Sequence, residues 1–401
     1  MIHKKEPIVI LILRILLGCL FIFSGLSKAI DPIANAIQFD DYFISFRMPF
    51  LQFFSMFCAV ALTIVEFTLG VMMLFRVKIK LTATLYLLFM CFFFLLTAWL
   101  ALAEYLEVNH GYDFGVVKDC GCFGKAIKLS NLQTFLKNVI IIIPTILIFL
   151  YRDHIPDIRL TELGKWLLIG LTMLIAGLIQ LYCYRHLPII DFSDWKIKSN
   201  VAESYIDKQQ VTEVTYIYTD SLGNEYSFTE DELLKKFEED ESFFDDKEAA
   251  REEEKLISEL KRAPIQGLTM EDSISDYSAD LLNENNTRPL FILFMTDLDE
   301  TDIEGLESPY LAKIIQYCTD NQCDFVGLTN SSVKEIATFK KEHNITFPIY
   351  RSDCDPIKGP FIVRDAIHAN PGIIYVQNGI VMGKWNWRDF KKISFINNQN
   401  K

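Results

Sequence analysis

The chain has no Cys-x-x-Cys pair, no glycine-rich nucleotide loop, no paired-histidine metalloprotease helix and no Ser/His/Asp spacing of a hydrolase. Ordinary dithiol exchange, phosphate cradling, zinc proteolysis and acyl transfer therefore each lack their usual sequence support. A basic stripe is missing too: 39 Lys and Arg stand against 52 Asp and Glu, for a formal charge of −13. Nucleic acid is excluded as a partner on that ground. Most of the acidic surplus falls after residue 188, notably between Glu225 and Glu259. What the chain has in excess is apolar residues, 51% of its 401 positions, with a mean hydropathy of +0.21. That is too apolar for an ordinary soluble protein, so part of it is expected to lie in lipid.

Crossing about 30 Å of hydrocarbon takes about 20 apolar residues. Five runs qualify, at roughly 8–30, 53–75, 81–102, 135–151 and 162–184, the fourth interrupted by Pro144. The first run carries Arg14 and leads into Ser24-Gly25-Leu26-Ser27-Lys28 with no small-residue cleavage site, so it reads as a permanent anchor rather than a signal peptide. Lys and Arg gather at the N-terminus (Lys4, Lys5) and in the second and fourth connections (Arg76, Lys78, Lys80; Arg152, Arg159, Lys165). By the positive-inside rule these face the cytoplasm. The expected placement is a bacterial inner membrane, with the 31–52 loop, the 103–134 loop and everything after Tyr184 on the periplasmic side.

Nine cysteines are present, but Cys19, Cys58, Cys91 and Cys183 sit inside apolar runs, where a lone thiol is a small hydrophobe. The pair Cys120-Gly121-Cys122 differs: it lies in a polar loop just outside the membrane, in an oxidising compartment. A disulfide across one residue closes a very small ring, which Gly121 permits, and would be strained and oxidising. Lys118 and Lys125 favour thiolate while Asp113 and Asp119 oppose it. Three readings stay open: a redox pair, a metal site with His110 and Asp113, and a motif that only shapes the loop. The two-sulfur set is irregular for structural zinc, so no metal is assigned. Arg14, Lys28 and Glu66 are ionisable groups within or at the ends of spans, where an unpaired charge costs about 2.5–3.5 kcal/mol. Glu66 is expected either to form a structural pair with Arg14 or Lys28, or to handle protons beside a bound quinone, with Arg14 and Lys28 as candidate cofactor-binding groups.

The segment Arg14-Ile15-Leu16-Leu17-Gly18, then Phe23-Ser24-Gly25-Leu26-Ser27-Lys28 ending in Asp31-Pro32, and Glu66 with Gly70 resemble the DoxX-like family of small membrane bundles. The Asp119-Cys120-Gly121-Cys122-Phe123-Gly124 loop resembles its methylamine-utilisation MauE branch. The likeness covers about residues 8–151 and implies a four-helix bundle with a role in disulfide or quinone-linked redox chemistry. A fifth span and a large tail resemble the longer Bacteroidetes-type variants.

In the tail, Leu187 to Trp195 reads as a juxtamembrane lead-in with Trp195 at the interface. A hairpin is expected from Val214–Thr219 and Glu225–Thr229 around Ser221 to Asn224, followed by a charged helix capped at Thr229 and running to about Arg262. From Arg288 strands and helices alternate: strands at Pro289–Met295, Cys323–Thr329, Phe347–Tyr350, Gly372–Gln377 and Ile380–Trp385, with helices at 307–321 and 332–343. This order resembles the thioredoxin-like fold, and the likeness puts Pro371 in the place of its cis proline. The stretch Thr296 to Asp302 holds no sulfur where a thioredoxin has its dithiol, so this module is expected to bind a client through Pro371, Trp385 and Trp387 rather than exchange disulfides. Cys318 and Cys323 are candidates for a local bridge.

The expected architecture is thus an all-α transmembrane bundle followed by an α/β thioredoxin-like domain: residues 1–151 the four-helix bundle, 152–187 the fifth span, 188–287 a hairpin and acidic helical linker, 288–401 the thioredoxin-like part. The functional expectation is an inner-membrane thiol–disulfide protein with Cys120 and Cys122 as redox pair, Glu66 as proton carrier and periplasmic or envelope proteins as partners. A non-enzymatic scaffold of an envelope complex is the alternative.

Overall fold

Five helices are long and apolar enough to cross a membrane: α1 (Ile8–Ala29), a 3₁₀ turn running into α3 (together Pro49–Phe75), α4 (Ile79–His110), α5 (Asn131–Tyr151) and α6 (Glu162–Arg185). They coincide with the five expected runs. The computed structural model describes residues 6–112, 114, 115, 117, 120–127, 129–205, 211–239, 243, 247–258, 263, 265, 268–352 and 362–394. Asp113, Lys118, Asp119, Cys354 and the 259–262 end of the expected charged helix lie outside these residues. Helix α5 runs through Pro144 and starts with a reciprocal Ser130–Gln133 capping box.

Between α1 and α3, where a loop was expected, lies α2 (Pro32–Ser45). Its start was legible. Asp31 accepts a hydrogen bond from the Ala34 backbone N–H at 3.1 Å, and Pro32 occupies the first helical position, where its missing N–H costs nothing. Helix α1 packs chiefly on α3, and α4 on α5. The first contact depends on small residues: a Cβ on Gly70 would come within 2.6 Å of the Ile22 backbone nitrogen, and one on Gly25 within 2.7 Å of that of Phe67. Without hydrophobic drive between helices in lipid, such close backbone approach carries the association. The bundle core gathers Leu17, Phe21, Leu69, Met73, Tyr86 and Ile148.

Beyond α6 the chain forms a mixed α/β region. The short α7 (Val201–Ser204) precedes a three-stranded antiparallel sheet of β2 (Val211–Asp220), β3 (Glu225–Thr229) and β4 (Lys247–Ser258), in the order β3-β2-β4, where β1 (Cys122–Lys125) is a short strand of the α4–α5 connection. The hairpin is as expected, with Thr219 opposite Glu225. The charged helix is shorter than expected: α8 (Glu230–Glu239) stops, and Lys247–Ser258 instead pairs with β2. Helical charge patterning was overridden there by the unpaired edge of β2, which offers a full ladder of backbone partners.

A second sheet follows the short α9 (Ser278–Leu281): β5 (Leu290–Met295), α10 (Ile303–Leu306), α11 (Pro309–Asp320), β6 (Asp324–Thr329), α12 (Val333–Glu342), β7 (Ile349–Arg351), α13 (Ile362–Ala366), β8 (Gly372–Gln377) and β9 (Ile380–Asn386). Strand order is β7-β6-β5-β8-β9, with β5, β6 and β7 parallel and β8 and β9 antiparallel to their neighbours. β5 is buried along its whole length, as a central strand covered on both faces must be. Leu290, Ile292 and Phe294 enter one core, and Phe291, Leu293 and Met295 the other, against α11 and α12. Trp195 was expected at the membrane interface; it is 2% exposed and packs edge-on against Phe294 at 5.4 Å. Burying its large ring in this core outweighs the headgroup region.

The α/β region docks on the membrane bundle through charged pairs. Asp365 on α13 meets Lys125 on β1 at 2.8 Å, Arg364 meets Asp40 at 3.8 Å, and His368 Nδ1 lies 2.7 Å from Asp31. At Asp31 burial pushes the carboxyl up, but the charge and hydrogen bond of His368 outweigh it and leave it below its ordinary value.

Candidate functional site: a dithiol at a membrane cavity

The α4–α5 connection folds back over the end of α1. The Ser24 hydroxyl donates to the Cys122 carbonyl at 2.6 Å, Tyr42 on α2 donates to the Cys120 carbonyl at 3.1 Å, and the Asn131 amide donates to the Val117 carbonyl at 2.8 Å. Gly121 takes φ +62°, a left-handed conformation that a side chain disfavours. The turn brings the Cys120 and Cys122 sulfurs to 3.0 Å, as free thiols.

Both thiols border a cavity of about 530 Å³, within the size range of small-ligand pockets. Its walls are mostly apolar, with Phe21, Phe43, Leu62, Phe89 and Phe93 among them, and its polar lining residues include Ser24, Lys28, Glu66, Lys137 and Asn138. Lys28 pairs with Glu66 at 2.6 Å, both buried, and also donates to Ser24 at 3.1 Å. Ser24 thus links the ion pair to the Cys122 carbonyl. The Thr63 hydroxyl, one helical turn before Glu66, is fully buried and has no hydrogen-bond partner.

The two thiols are electrostatically unequal. The hydrogen bond from Cys120 lowers Cys122 to about 6; burial opposes this, while the cations of Lys137 and Lys28 support it. Cys120 is pushed well above its ordinary value by that same hydrogen bond and by burial. The directions of both shifts favour a reduced pair that shares one proton near neutral pH, with the negative charge toward Cys122.

Of the residues singled out from sequence, Cys120, Cys122, Lys28 and Glu66 come together here. Arg14 does not. It sits at the far end of α1, where its guanidinium donates to the Met73 and Leu74 carbonyls at 2.8 and 2.5 Å and pairs with Glu6 at 2.8 Å, closing the C-terminal end of α3. Pro371, Trp385 and Trp387 lie in the α/β region. The Asn370–Pro371 bond is cis, and the Thr296–Asp302 segment is tied to it: the Asn370 amide donates to the Asp297 carbonyl at 3.1 Å and Thr301 donates to Asn370 at 3.0 Å. Trp385 and Trp387 are half-buried against the core beneath α11 and α12. Sequence reading passed over Ser24, Tyr42, Thr63, Lys137 and Asn138. Lys137-Asn138 in an otherwise apolar run was the available signal.

These features define a multi-pass membrane protein with a dithiol beside a membrane cavity. Residues 6–152 match the family described as methylamine utilisation protein MauE, the segment that contains every residue lining the cavity. No curated protein and no solved structure matches the chain.

Proposed function

We propose that the protein is a thiol–disulfide redox protein of the bacterial inner membrane, with its N-terminus cytoplasmic and the dithiol loop and α/β region periplasmic. The observation that carries this reading is the 3.0 Å Cys120–Cys122 pair bordering a mostly apolar cavity that a buried ion pair also lines. The Lys and Arg bias of the opposite connections supports the orientation. A quinone-class molecule fits the apolar walls and the unpartnered Thr63 hydroxyl. Bound there, such a molecule would accept the two electrons released when the pair closes to a disulfide, together with the one proton the pair gives up and a second proton from the medium. Lys28 and Glu66, a buried pair lining that cavity, are the groups that would carry protons in this step. An accessory role of the kind carried by the methylamine-utilisation family name agrees with this chemistry.

The α/β region reads as a thioredoxin-like module that lacks the usual dithiol after its first long strand, supported by its strand order and its parallel β5–β6–β7 core. The contacts of α13 with Lys125 and Asp40 support a role for this module in bringing a client to the dithiol loop.

The test is the redox state of Cys120 and Cys122 in intact cells, by acid quench and differential alkylation. A disulfide fraction that follows respiratory or oxidant conditions supports exchange; a pair fixed in either state overturns it in favour of a scaffold.

A further inference from the structure

Resting on that redox reading, we propose that Cys122 is the attacking sulfur of the pair and that Lys137 is the positioning residue that keeps it a thiolate. An ammonium on a membrane-spanning helix needs an anion. Lys137 lies on α5 and lines the cavity together with both thiols, its Nζ 4.5 Å from the centre of the Phe123 ring, the residue after Cys122. Among the described residues, Glu66 is the one carboxylate lining that cavity, and Lys28 already holds it at 2.6 Å. Among the described residues lining the cavity, the anion left for Lys137 is a thiolate of the pair.

The choice between the sulfurs follows from their surroundings. Cys120 is 6% exposed; it faces Tyr42 from α2 and Lys137 from α5, its sulfur lies 3.0 Å from that of Cys122, and Lys28 acts on Cys122. Cys122 faces Lys28 from α1, Glu66 from α3 and Lys137 from α5, besides Cys120 itself. α4 adds only apolar residues to the cavity wall, Phe89, Met90, Phe92, Phe93 and Leu96. Two cations against one paired carboxylate favour negative charge on Cys122.

The order of bond changes is then fixed. In the reducing direction the Cys122 thiolate attacks a client disulfide; a Cys122–client bond forms, the client bond breaks, and the second client sulfur leaves as a thiolate that takes the Cys120 proton. Cys120 then attacks Cys122, releasing the first client sulfur and closing the Cys120–Cys122 bond. The client gains two electrons and the pair loses two; oxidation of a client runs through the same mixed disulfide in reverse.

The test is pulse alkylation of the reduced full-length protein in detergent between pH 5 and 9, with iodoacetamide and peptide mass spectrometry. Cys122 should react first, with a midpoint near 6. Lys137→Met should slow Cys122 at pH 7 by about tenfold, a shift of its midpoint by roughly two units; Lys137→Arg should restore the rate. A parent protein in which Cys120 reacts first overturns the assignment without any variant, and so does a Lys137→Met protein that alkylates at the parental rate. Failure of the redox reading is separable: a Cys122 that responds to Lys137 in a pair that never cycles in cells overturns exchange alone, whereas a cycling pair indifferent to Lys137 overturns this inference alone.

Discussion

Among the described residues two pairs of cysteines lie within reach of one another, and their surroundings act on the thiols in opposite ways. Cys318 closes the buried face of α11 and Cys323 stands at the entrance to β6. Burial raises Cys318 far above its ordinary value, with the nearby charges of Cys323 and Asp324 adding to the effect. Cys323 is raised as well, by burial and Asp324. Cys120 and Cys122 are buried too, yet Cys122 moves the other way, because a hydrogen bond from its neighbour and two lysines outweigh desolvation. Sequence spacing does not set thiol reactivity; at Cys122 a hydrogen bond aided by two lysines decides it, and at Cys318 and Cys323 burial does. The second pair belongs to a hydrophobic core, and the first to a polar pocket placed in an apolar wall.

The largest effect should come from breaking the charged frame of the first pair. Glu66→Gln leaves Lys28 buried without its 2.6 Å partner, and removing one member of a buried ion pair costs about 3–5 kcal/mol. Thermal unfolding in detergent should show a large drop in midpoint. The double variant Lys28→Met with Glu66→Met should recover most of it, since no charge is then stranded. A frame that serves only structure would leave the Cys120–Cys122 cycling of that double variant intact; a frame that carries protons would not.

A smaller effect separates the pairs directly. At pH 7 a thiol at about 6 is roughly 90% thiolate, whereas one at or above an ordinary 8.5 is at most about 3%. Cys122 should therefore alkylate at least about thirtyfold faster than Cys318 in the same folded sample. Equal rates would dissolve the contrast, and unfolding in guanidinium should abolish it.

How much of this was legible in the sequence follows the same division. The Cys-Gly-Cys loop, the five spans and the strands of the second sheet announce themselves through short-range pattern: an uninterrupted apolar run, a glycine between sulfurs, the apolar stretch Leu290 to Met295. Helix α2 was signalled by Asp31-Pro32 and overlooked because the surrounding segment lacks the apolar content of a span. Lys137, Thr63 and Tyr42 come from three different helices and meet only through packing, so no local pattern could join them. Trp195 and β4 were misread for the converse reason. Each had a plausible local role, at a lipid interface and in a charged helix, and each was taken up by a partner distant in sequence: Phe294 for Trp195 and β2 for β4.

The mildest perturbation asks whether burial or charge governs the second pair. Asp324 raises both of its thiols and meets Arg288 at 3.4 Å in a largely exposed ion pair, which contributes about 0–1 kcal/mol. Asp324→Asn should therefore leave stability nearly unchanged while freeing the Arg288 cation beside Cys323. Because burial is the leading cause for both sulfurs, the expected gain in Cys323 alkylation at pH 8 is only about two- to threefold, with Cys318, 2% exposed, unaffected. A tenfold gain would make charge the controlling factor in the α/β region as it is in the membrane cavity.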